Sequence, residues 1–436
     1  MVADKQDKFL NVPNKRVQSH TCLSPAERKG NVPVLRFPEF SGEWKESTIG
    51  KEFDLYSGNT PSRLDKENFV GDVNWITSGE LKEHYIGDTK EKISESSAKE
   101  NNLRLMPEGT FVIAIYGLEA EGVRSTGSII TKQSTISQAC MAFTPKGDIS
   151  NEFLYSWYKN HGNVIGLRYA QGTKQQNLSY DIIEKFKIRY PSLKEQDKLN
   201  SFISLLDVRI ATQIRIIDKL KSLMRGMNNE LMDNPKWAKI YVGDFMEFFS
   251  TNSLSWEQLS YDNGQVHNLH YGLIHSGLPT LVDCQKESLP YIQDSSLPKQ
   301  STNCKDGDIA FADASEDTTE VGKVVELTNI GDKKIVCGLH TIHGRDVKDI
   351  TVNGFKGFAF NSKYFHDQLR RIAQGSKVYS INTDNVKSCY LYIPTVAEQQ
   401  KIVGLLRCMQ EKIEVAEYGL QLYKAQKQFL LRGLFV

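Results

Sequence analysis

Several histidines in this chain lie at short spacings, and such groups can act as metal ligands or as acid–base groups. One group comprises His267, His270 and His275, and a second comprises His340 and His343. The first group is typical of loop histidines that make hydrogen bonds. The second group has no identifiable third ligand, so we keep His340 and His343 as candidate contacts to a base edge or a phosphate.

Signatures of catalysis are absent from the sequence. It has no GxxxxGK[ST] phosphate-binding loop and no GxGxxG turn that opens a helix. A DNA amino-methyltransferase would need an NPP[YF]-like tetrapeptide, and the nearest string, DNPK at 233–236, lacks the second proline and the aromatic ring. A nuclease core of paired carboxylates with a lysine does not stand out either. We therefore predict that the chain has no catalytic residues and is not itself an enzyme.

Cysteine spacing and net charge bear on two further classes of site. The seven cysteines are scattered without a CxxC pair, which predicts structural thiols and no metal site. The formal net charge is only +1, so bulk charge gives no support to nucleic-acid binding through a broadly basic face. If the protein binds DNA, its positive groups must be local, or a partner must supply much of the phosphate contact.

An internal duplication organises the chain. The string AQGTK at 170–174 recurs as AQGSK at 373–377, an offset of 203 residues. At this offset the match continues without a gap into Pro-x-x-x-Glu-Gln motifs that begin at Pro191 and Pro394. A unit of about 200 residues present twice is not a solenoid, which needs shorter periods and more copies. The duplication predicts two similar domains, each followed by a similar helix.

Apolar residues at heptad spacing predict two long helices, over 195–232 and 398–434. Each begins after a proline with glutamate in its first turn, as helix N-termini prefer, and at ~1.5 Å per residue each is roughly 55 Å long. Seams of this length, on helices that follow compact domains, favour a coiled coil over ordinary core helices. The seam residues are Ile203, Leu206, Ile210, Ile217, Leu220, Leu406, Met409, Ile413 and Leu420.

The expected fold class is α+β, with two globular mixed α/β domains joined by two long α-helices that form an antiparallel, pseudo-twofold coiled coil. Short β-branched runs, such as 110–116 and 309–312, predict strands in the two domains. The predicted segments are an N-terminal arm (1–40), a first domain (41–190), a central helix (191–234), a second domain (235–393) and a C-terminal helix (394–436).

A series of strings, taken in order, resembles the specificity subunits of Type I restriction–modification enzymes. The AQG[TS]K turns and the Glu-Gln helix starts are similar to spacers of that family, and the likeness covers residues 35 to 436. The remaining strings are LRFPEF at 35–40, SGNTPS at 57–62, WITSGEL at 75–81, ADASED at 312–317, GLHTI at 338–342 and KVYSIN at 377–382.

The resemblance implies a division of labour. Each domain would be a target-recognition domain that reads one half of a split site in double-stranded DNA, and the helices would set the spacer. Two methyltransferase subunits would dock on the helices, and restriction subunits would join for cleavage. S-adenosylmethionine, ATP and Mg²⁺ would bind to those partners, so the resemblance implies no cofactor on this chain.

Direct readout of base edges needs hydrogen-bonding side chains on a shaped surface. The loops that resemble the family's recognition domains supply such side chains in both halves of the chain. The candidate DNA-binding residues are Asn59, Thr60, Ser62, Arg63, Ser78, Lys132, Gln133, Ser134, Lys174, Gln175 and Gln176 in the first half, and His340, Thr341, His343, Arg345, Lys377, Tyr379 and Ser380 in the second.

Two other interpretations stay open at the level of sequence. The chain would be a scaffold with two binding modules on a rod and no nucleic-acid partner, or it would be an enzyme without a familiar motif. The missing catalytic motifs disfavour the second. The polar N-terminus lacks the apolar core of a signal peptide, and no apolar run approaches the ~20 residues of a membrane span, so we expect a cytoplasmic protein with no membrane contact.

Overall fold

The computed structural model describes residues 30–116, 126–169, 177–294, 301–316, 321–373 and 378–436. The chain divides into two compact units. Unit 1 runs up to Ile210 and also contains Leu422–Val436, and unit 2 comprises Ala211–Gln421. Each unit therefore includes a part of both long helices.

Unit 1 is built from short strands and short helices that precede the first long helix. Its strands are β1 (Lys45–Thr48), β2 (Phe53–Ser57), β3 (Val73–Ile76), β4 (Tyr85–Ile86), β5 (Lys92–Ile93), β6 (Phe111–Ala114), β7 (Gly127–Ile130), β8 (Ser134–Ile136), β9 (Cys140–Pro145) and β10 (Lys187–Tyr190). Its helices are α1 (Ile49–Glu52), α2 (Glu95–Glu100), α3 (Asn151–Tyr169), α4 (Tyr180–Ile183) and the start of α5 (Leu193–Met232).

Unit 2 repeats this arrangement with further short elements. Its strands are β11 (Ala238–Tyr241), β12 (Met246–Phe249), β13 (Leu259–Ser260), β14 (Val266–Leu269), β15 (Leu281–Asp283), β16 (Tyr291–Ile292), β17 (Ile309–Ala312), β18 (Ala314–Ser315), β19 (Val324–Thr328), β20 (Lys334–Cys337), β21 (Thr341–Asp346), β22 (Tyr379–Ser380) and β23 (Tyr390–Ile393). Its helices are α6 (Val242–Phe245), α7 (Tyr271–Ser276), α8 (Phe355–Phe360), α9 (Lys363–Ile372), α10 (Thr383–Ser388) and most of α11 (Val396–Leu434).

Sheet topology confirms the expected α+β class and follows the duplication strand by strand. The five-stranded sheet of unit 1 has the order β2-β9-β6-β7-β4, and that of unit 2 has the equivalent order β12-β21-β17-β19-β15. In both sheets the last strand of this order pairs in parallel and the others are antiparallel. A second sheet completes each unit, β5-β3-β8 in unit 1 and β13-β16-β14-β20 in unit 2. The central strands β6 and β17 are apolar and buried along their whole length, because both of their faces are covered.

The repeated glutamines explain why the Pro-x-x-x-Glu-Gln motif occurs twice. The buried amide of Gln196 donates to the carbonyl oxygens of Pro191 at 2.9 Å and Asp148 at 2.6 Å, and it accepts from the Ser150 amide at 2.9 Å. These bonds satisfy buried backbone groups in the turn before α5 and in the loop before α3. The motif therefore fixes the first turn of the long helix to the body of unit 1.

Gln399 makes the same three bonds in unit 2. Its amide donates to Pro394 and Ile350 at 3.0 Å each and accepts from the Val352 amide at 2.8 Å. The glutamate that precedes each glutamine differs between the units. Glu195 is buried and accepts from Arg36 at 2.8 and 2.7 Å, whereas Glu398 accepts from Thr395 at its own helix start.

The long helices α5 and α11 contact each other within both units. In unit 1, Asp207 pairs with Lys427 and Arg209 donates to Tyr423 at 3.0 Å, so the partner number falls as the residue number rises, which is antiparallel packing. In unit 2, Gln213, the polar interruption of the seam, donates to the Ala416 carbonyl at 2.9 Å. All nine predicted seam residues are buried or half-buried.

The start of the described chain packs on unit 1. The Leu35 amide donates to the Gly433 carbonyl at 2.8 Å, and the Trp44 ring lies edge-on to Phe153 and to Phe435. Most of the predicted N-terminal arm lies outside the described residues, as do the AQGTK string and residues 374–377 of its repeat. In the part of the chain that the structure describes, no helix has the length and apolar character to cross a membrane.

Candidate nucleic-acid interface

The loop after β2 in unit 1 is held tightly against the end of β8. A Cβ atom on Gly58 would lie 1.7 Å from the Ile136 carbonyl oxygen, so only glycine fits this close approach. The carbonyl of the next residue, Asn59, accepts from the Trp75 indole nitrogen at 3.1 Å. The SGNTPS string therefore forms a fixed loop from which Asn59, Ser62 and Arg63 project as exposed side chains.

Acidic residues partner the two cations of this surface. The guanidinium of Arg63 makes a bidentate pair with Glu91, 2.9 Å for each bond, and the ammonium of Lys132 contacts Asp88 at 3.1 Å. Hydrogen bonding to Arg63 lowers the pKa of Glu91, and the same bonds raise the pKa of Arg63. A phosphate or a base edge that bound here would have to displace these carboxylates.

Aromatic rings and a capping box set the geometry of the same surface. The Arg63 guanidinium lies 5.0 Å from the Phe69 ring centre and 5.6 Å from that of Trp75. The candidate Ser78 lies half-buried in a short 3-10 turn, Ser78–Glu80, whose capping box is made by Thr77 and Glu80. The structure thus brings the candidates of 59–63 close to Trp75 and to the acidic segment 88–91.

In unit 2 the comparable surface centres on His340. Its side chain is half-exposed, its Nδ1 lies 3.1 Å from an Asp313 carboxylate oxygen, and its ring is edge-on to Tyr271. Burial raises the pKa of Asp313, although the His340 contact opposes that shift. Strand β18 begins directly after Asp313 and pairs with β22, which carries Tyr379 and Ser380. Three of the predicted residues are therefore brought to one surface.

The strand ends near the two surfaces are held by equivalent backbone hydrogen bonds. In unit 1, Ile115 at the end of β6 donates its amide to the Ala139 carbonyl at 2.9 Å, and in unit 2, Asp313 at the end of β17 donates to the His340 carbonyl at 3.1 Å. The backbone frame is thus the same, while the side chains at these positions are unrelated.

Burial corrects three of the predicted contacts. Ser134, Thr341 and His343 are 1%, 4% and 0% exposed, so in this conformation they cannot reach a base edge. Ser134 and Thr341 donate to the backbone carbonyls of Lys132 and Gly338. All three lie on strands whose two faces are both covered.

Arg345 is a fourth predicted contact that the structure engages elsewhere. It makes a bidentate pair with Asp308 at 2.8 and 2.7 Å, and its guanidinium lies 4.8 Å from the Phe249 ring centre. Asp308 is buried and also lies 2.8 Å from His343 Nε2, so Arg345 is part of a charged cluster in the core of unit 2. The remaining candidates Lys174, Gln175, Gln176 and Lys377 lie outside the described residues.

The first histidine group makes hydrogen bonds, as expected from the sequence. His267 contacts the Leu289 carbonyl at 3.0 Å, His270 accepts from the Gly272 amide at 3.1 Å, and His275 contacts the Ala314 carbonyl at 3.1 Å. His267 and His270 are buried, however, and are not loop residues on the surface. Burial lowers the pKa of both, that of His270 to about 4.

Some exposed residues at these loops were missed by the sequence reasoning. Tyr116, at the end of β6, has 46% of its surface exposed, and Gln138, beside Ala139, is exposed. Tyr271 and Asp313 orient His340 in unit 2. The only sequence signal for them is position, since each lies within two residues of the end of a buried strand.

The comparisons with known proteins agree with this architecture. The profile of the Type I restriction modification DNA specificity domain matches residues 41–222. The MjaIX specificity subunit of a Type I restriction enzyme from Methanocaldococcus jannaschii is 26% identical over 260 residues, which cover 51% of this chain and 59% of that protein. The match therefore spans less than two thirds of this relative's length.

Two solved structures share the fold. A Type-I restriction-modification system S subunit from M. genitalium aligns with a TM-score of 0.50 and 14% identity, over 93% of this chain and 99% of that one. A chain from a structure that addresses complex assembly and conformational transition of the type I R-M system aligns with a TM-score of 0.59 and 12% identity, over 90% and 96%. Residues 41–222 of this chain therefore match the Type I restriction modification DNA specificity domain, and the chain as a whole shares the fold of these solved structures.

Proposed function

We propose that this chain reads a bipartite DNA sequence, one half-site per unit. The observation that carries the proposal is that the two units share a backbone frame but have unrelated loop side chains. The five-stranded sheets have equivalent strand orders, yet the exposed surface of unit 1 presents Asn59, Ser62 and Arg63, and that of unit 2 presents His340 and Ser380. A common scaffold with different readers is what two different half-sites require.

Local charge supports the same function. Arg63 and Lys132 are paired with carboxylates that are themselves exposed, so these cations can exchange a protein partner for a phosphate at modest cost. The near-neutral chain would then bind DNA weakly alone. Methyltransferase subunits that dock beside it would contribute further phosphate contacts.

We propose a non-catalytic role for the chain within a larger enzyme. Two methyltransferase subunits would supply S-adenosylmethionine chemistry, and restriction subunits would supply ATP- and Mg²⁺-dependent cleavage, so this chain would carry no cofactor for either reaction. The complex would act on DNA in the cytoplasm. The domains 41–190 and 235–393 would be the readers, and the helices over 191–234 and 394–436 would connect them.

The long helices would also set the distance between half-sites. Insertion of four residues between Gln213 and Ile217 adds about 6 Å to an α-helix, which corresponds to one or two base-pair steps of about 3.4 Å. We expect a folded insertion variant to prefer a longer spacer with both half-site sequences unchanged. An active variant that keeps the original spacer would show that the helices do not measure it.

The direct test uses the full chain with and without its methyltransferase partner. We expect the chain alone to transfer no methyl groups, cleave no DNA and hydrolyse no ATP, and the complex to methylate a bipartite site that single-molecule sequencing identifies. Arg63→Ala should weaken binding at one half-site, whereas Lys66→Ala, at a nearby exposed lysine, serves as the control. Turnover by the purified chain alone, or a complex without sequence preference, would contradict the proposal.

A further inference from the structure

Two cysteines and a histidine meet in the interior of unit 2, between its two sheets. Cys337 ends β20 in the four-stranded sheet, His343 lies in β21 of the five-stranded sheet, and the Cys304 amide donates to the Ile335 carbonyl at 2.8 Å. One ligand atom from each of Cys304, Cys337 and His343 lies within 4.8 Å of the other two, and all three residues are buried. These residues are 33 and 6 positions apart along the chain, which hid the group from spacing arguments.

The bonding of His343 prepares one of its nitrogens for a further partner. Its Nε2 lies 2.8 Å from an Asp308 oxygen, and Asp308 is held in turn by Arg345. Its Nδ1 is buried and makes no hydrogen bond of normal geometry among the described residues, although the ring interacts with the Cys304 thiol. A carboxylate that fixes one imidazole nitrogen while the other is free is the arrangement found behind metal-ligating histidines.

Unit 1 shows what the fold itself needs at these positions. Met106 donates its amide to Ser134 at 2.8 Å, in the way that Cys304 does to Ile335. Ala142 lies opposite the second residue of β6, as His343 does in β17. Ile136 ends the strand that pairs in parallel with β3, as Cys337 ends the strand that pairs with β14.

Met106, Ile136 and Ala142 are all buried apolar residues of one core cluster. The duplicated fold is therefore satisfied by apolar side chains at these three places. Packing alone does not account for two thiols and an imidazole at these places in unit 2, because a buried imidazole nitrogen without a normal hydrogen bond costs stability.

We propose that Cys304, Cys337 and His343 bind one thiophilic divalent cation of the zinc class. The two sulfurs lie 3.6 Å apart, close to the separation of about 3.8 Å between two sulfurs bound tetrahedrally to zinc. Binding would release to solvent the two thiol protons and the Nδ1 proton that His343 carries as an imidazolium, and two thiolates would neutralise the divalent charge inside the core. A water molecule would complete the four ligands. This inference is independent of the DNA-reading function.

The metal would fix a loop at the reading surface. Residues 338–342 connect two of the ligands, Cys337 and His343, and within this segment His340 has a left-handed backbone with a φ of 55°. A cation that joins the two sheets at this place would hold that loop from both ends. The His340 side chain and its Asp313 partner would then keep their position when DNA approaches.

Metal content of the untagged full chain tests the proposal. The chain would be purified from zinc-supplemented medium under reducing conditions without chelator, and metals would be measured by mass spectrometry. We expect one zinc per chain. After replacement of zinc by cobalt, we expect thiolate-to-cobalt charge-transfer absorption, a signature that needs no variant. A wild-type chain without bound zinc, without that absorption, or with a Cys304–Cys337 disulfide in its place overturns the proposal.

The unit 1 residues supply the matched variant. Cys304→Met, Cys337→Ile and His343→Ala together reproduce the apolar set of the equivalent positions and should abolish zinc binding and the cobalt absorption. If the triple variant does not fold, the conservative single variants Cys304→Ser and His343→Gln provide the test. Each should weaken zinc binding by at least ten-fold. Cys408→Ser, at an exposed cysteine, should leave one zinc bound. Stoichiometric zinc on the triple variant would overturn the assignment.

Discussion

Units 1 and 2 share a backbone frame but fill equivalent core positions with different chemistry. Ile129 in β7 lies opposite the first residue of β6, and Glu326 in β19 lies opposite the first residue of β17. The repeated glutamine accepts from the amide of Ser150 in unit 1 and from that of Val352 in unit 2. Leu154 and Lys356 lie four residues after these two amides, so they also occupy equivalent positions. An apolar pair in unit 1 thus corresponds to a buried ion pair in unit 2, which teaches that the duplicated fold depends on backbone-directed bonds more than on particular core side chains.

Disruption of the buried ion pair should give the largest difference in stability between the units. Lys356 is 2% and Glu326 0% exposed, with 3.3 Å between Nζ and Oε1, and burial raises the pKa of Glu326. Lys356→Met leaves the carboxylate without its counter-charge, so we expect it to destabilise unit 2 by about 3–5 kcal/mol. Urea unfolding followed by pulse proteolysis, with fragments assigned to each unit by mass, measures this loss.

A double variant distinguishes charge from packing. Glu326→Ile with Lys356→Leu reproduces the unit 1 pair and should cost less than Lys356→Met alone. It should not be neutral, because Glu326 also accepts from the amides of Gly354 and Gly357. Lys363→Met, at an exposed lysine, is the control and should change stability by less than about 0.5 kcal/mol. A double variant worse than the single would refute the equivalence of the two pairs.

The repeated glutamines should matter equally in both units. Gln196→Ala and Gln399→Ala each leave one buried carbonyl, one partly buried carbonyl and one amide without this partner, so each should cost its own unit about 2–3 kcal/mol. The same unfolding assay reads both values, with Gln426→Ala, at an exposed position of α11, as the control. A large loss in one unit and none in the other would show that the common backbone frame is not held in the same way.

Acid should weaken unit 2 through His270. Its pKa is about 4 in the folded protein against an ordinary 6.5, so the unfolded chain takes up more protons as the pH falls below 6.5, and stability present above 6.5 is lost toward 4. We expect wild type to lose about 2 kcal/mol between pH 7.5 and 5 relative to His270→Asn. Asparagine is chosen because it can still cap α7. Parallel pH profiles for the two proteins would argue against this role.

Removing the carboxylate that pairs with Arg63 should have the smallest effect. We expect this effect on DNA binding and not on stability. Glu91→Gln removes the partner of Arg63 and should raise non-specific affinity a few-fold, with a salt dependence steeper by about one in the slope of log K against log salt. Glu100→Gln makes the same charge change at an exposed carboxylate that is not bonded to Arg63. Equal effects of the two variants in a fluorescence-anisotropy titration would mean that overall charge, and not Arg63, is responsible.

Periodic features of this protein were predictable from the sequence, and long-range contacts were not. The strand over 309–312 is β17 without any shift, and the long helices begin within two residues of the predicted starts, because apolar runs and heptads are local signals. The burial of His343 was not predictable. It lies in β21, which is buried over its first four residues, from Thr341 to Gly344, so the usual alternation of buried and exposed residues is lost.

Exchange of one reading unit tests the central claim, that each unit reads its own half-site. Residues 41–190 would be replaced by the equivalent segment of a relative with a known, different target, and the chimera would be assembled with its methyltransferase partner. Single-molecule sequencing would then map the methylated sites. We predict that one half-site changes to that of the relative, while the other half-site and the spacer stay the same. Methylated sites in which both half-sites change together, or in which neither changes, would contradict the account.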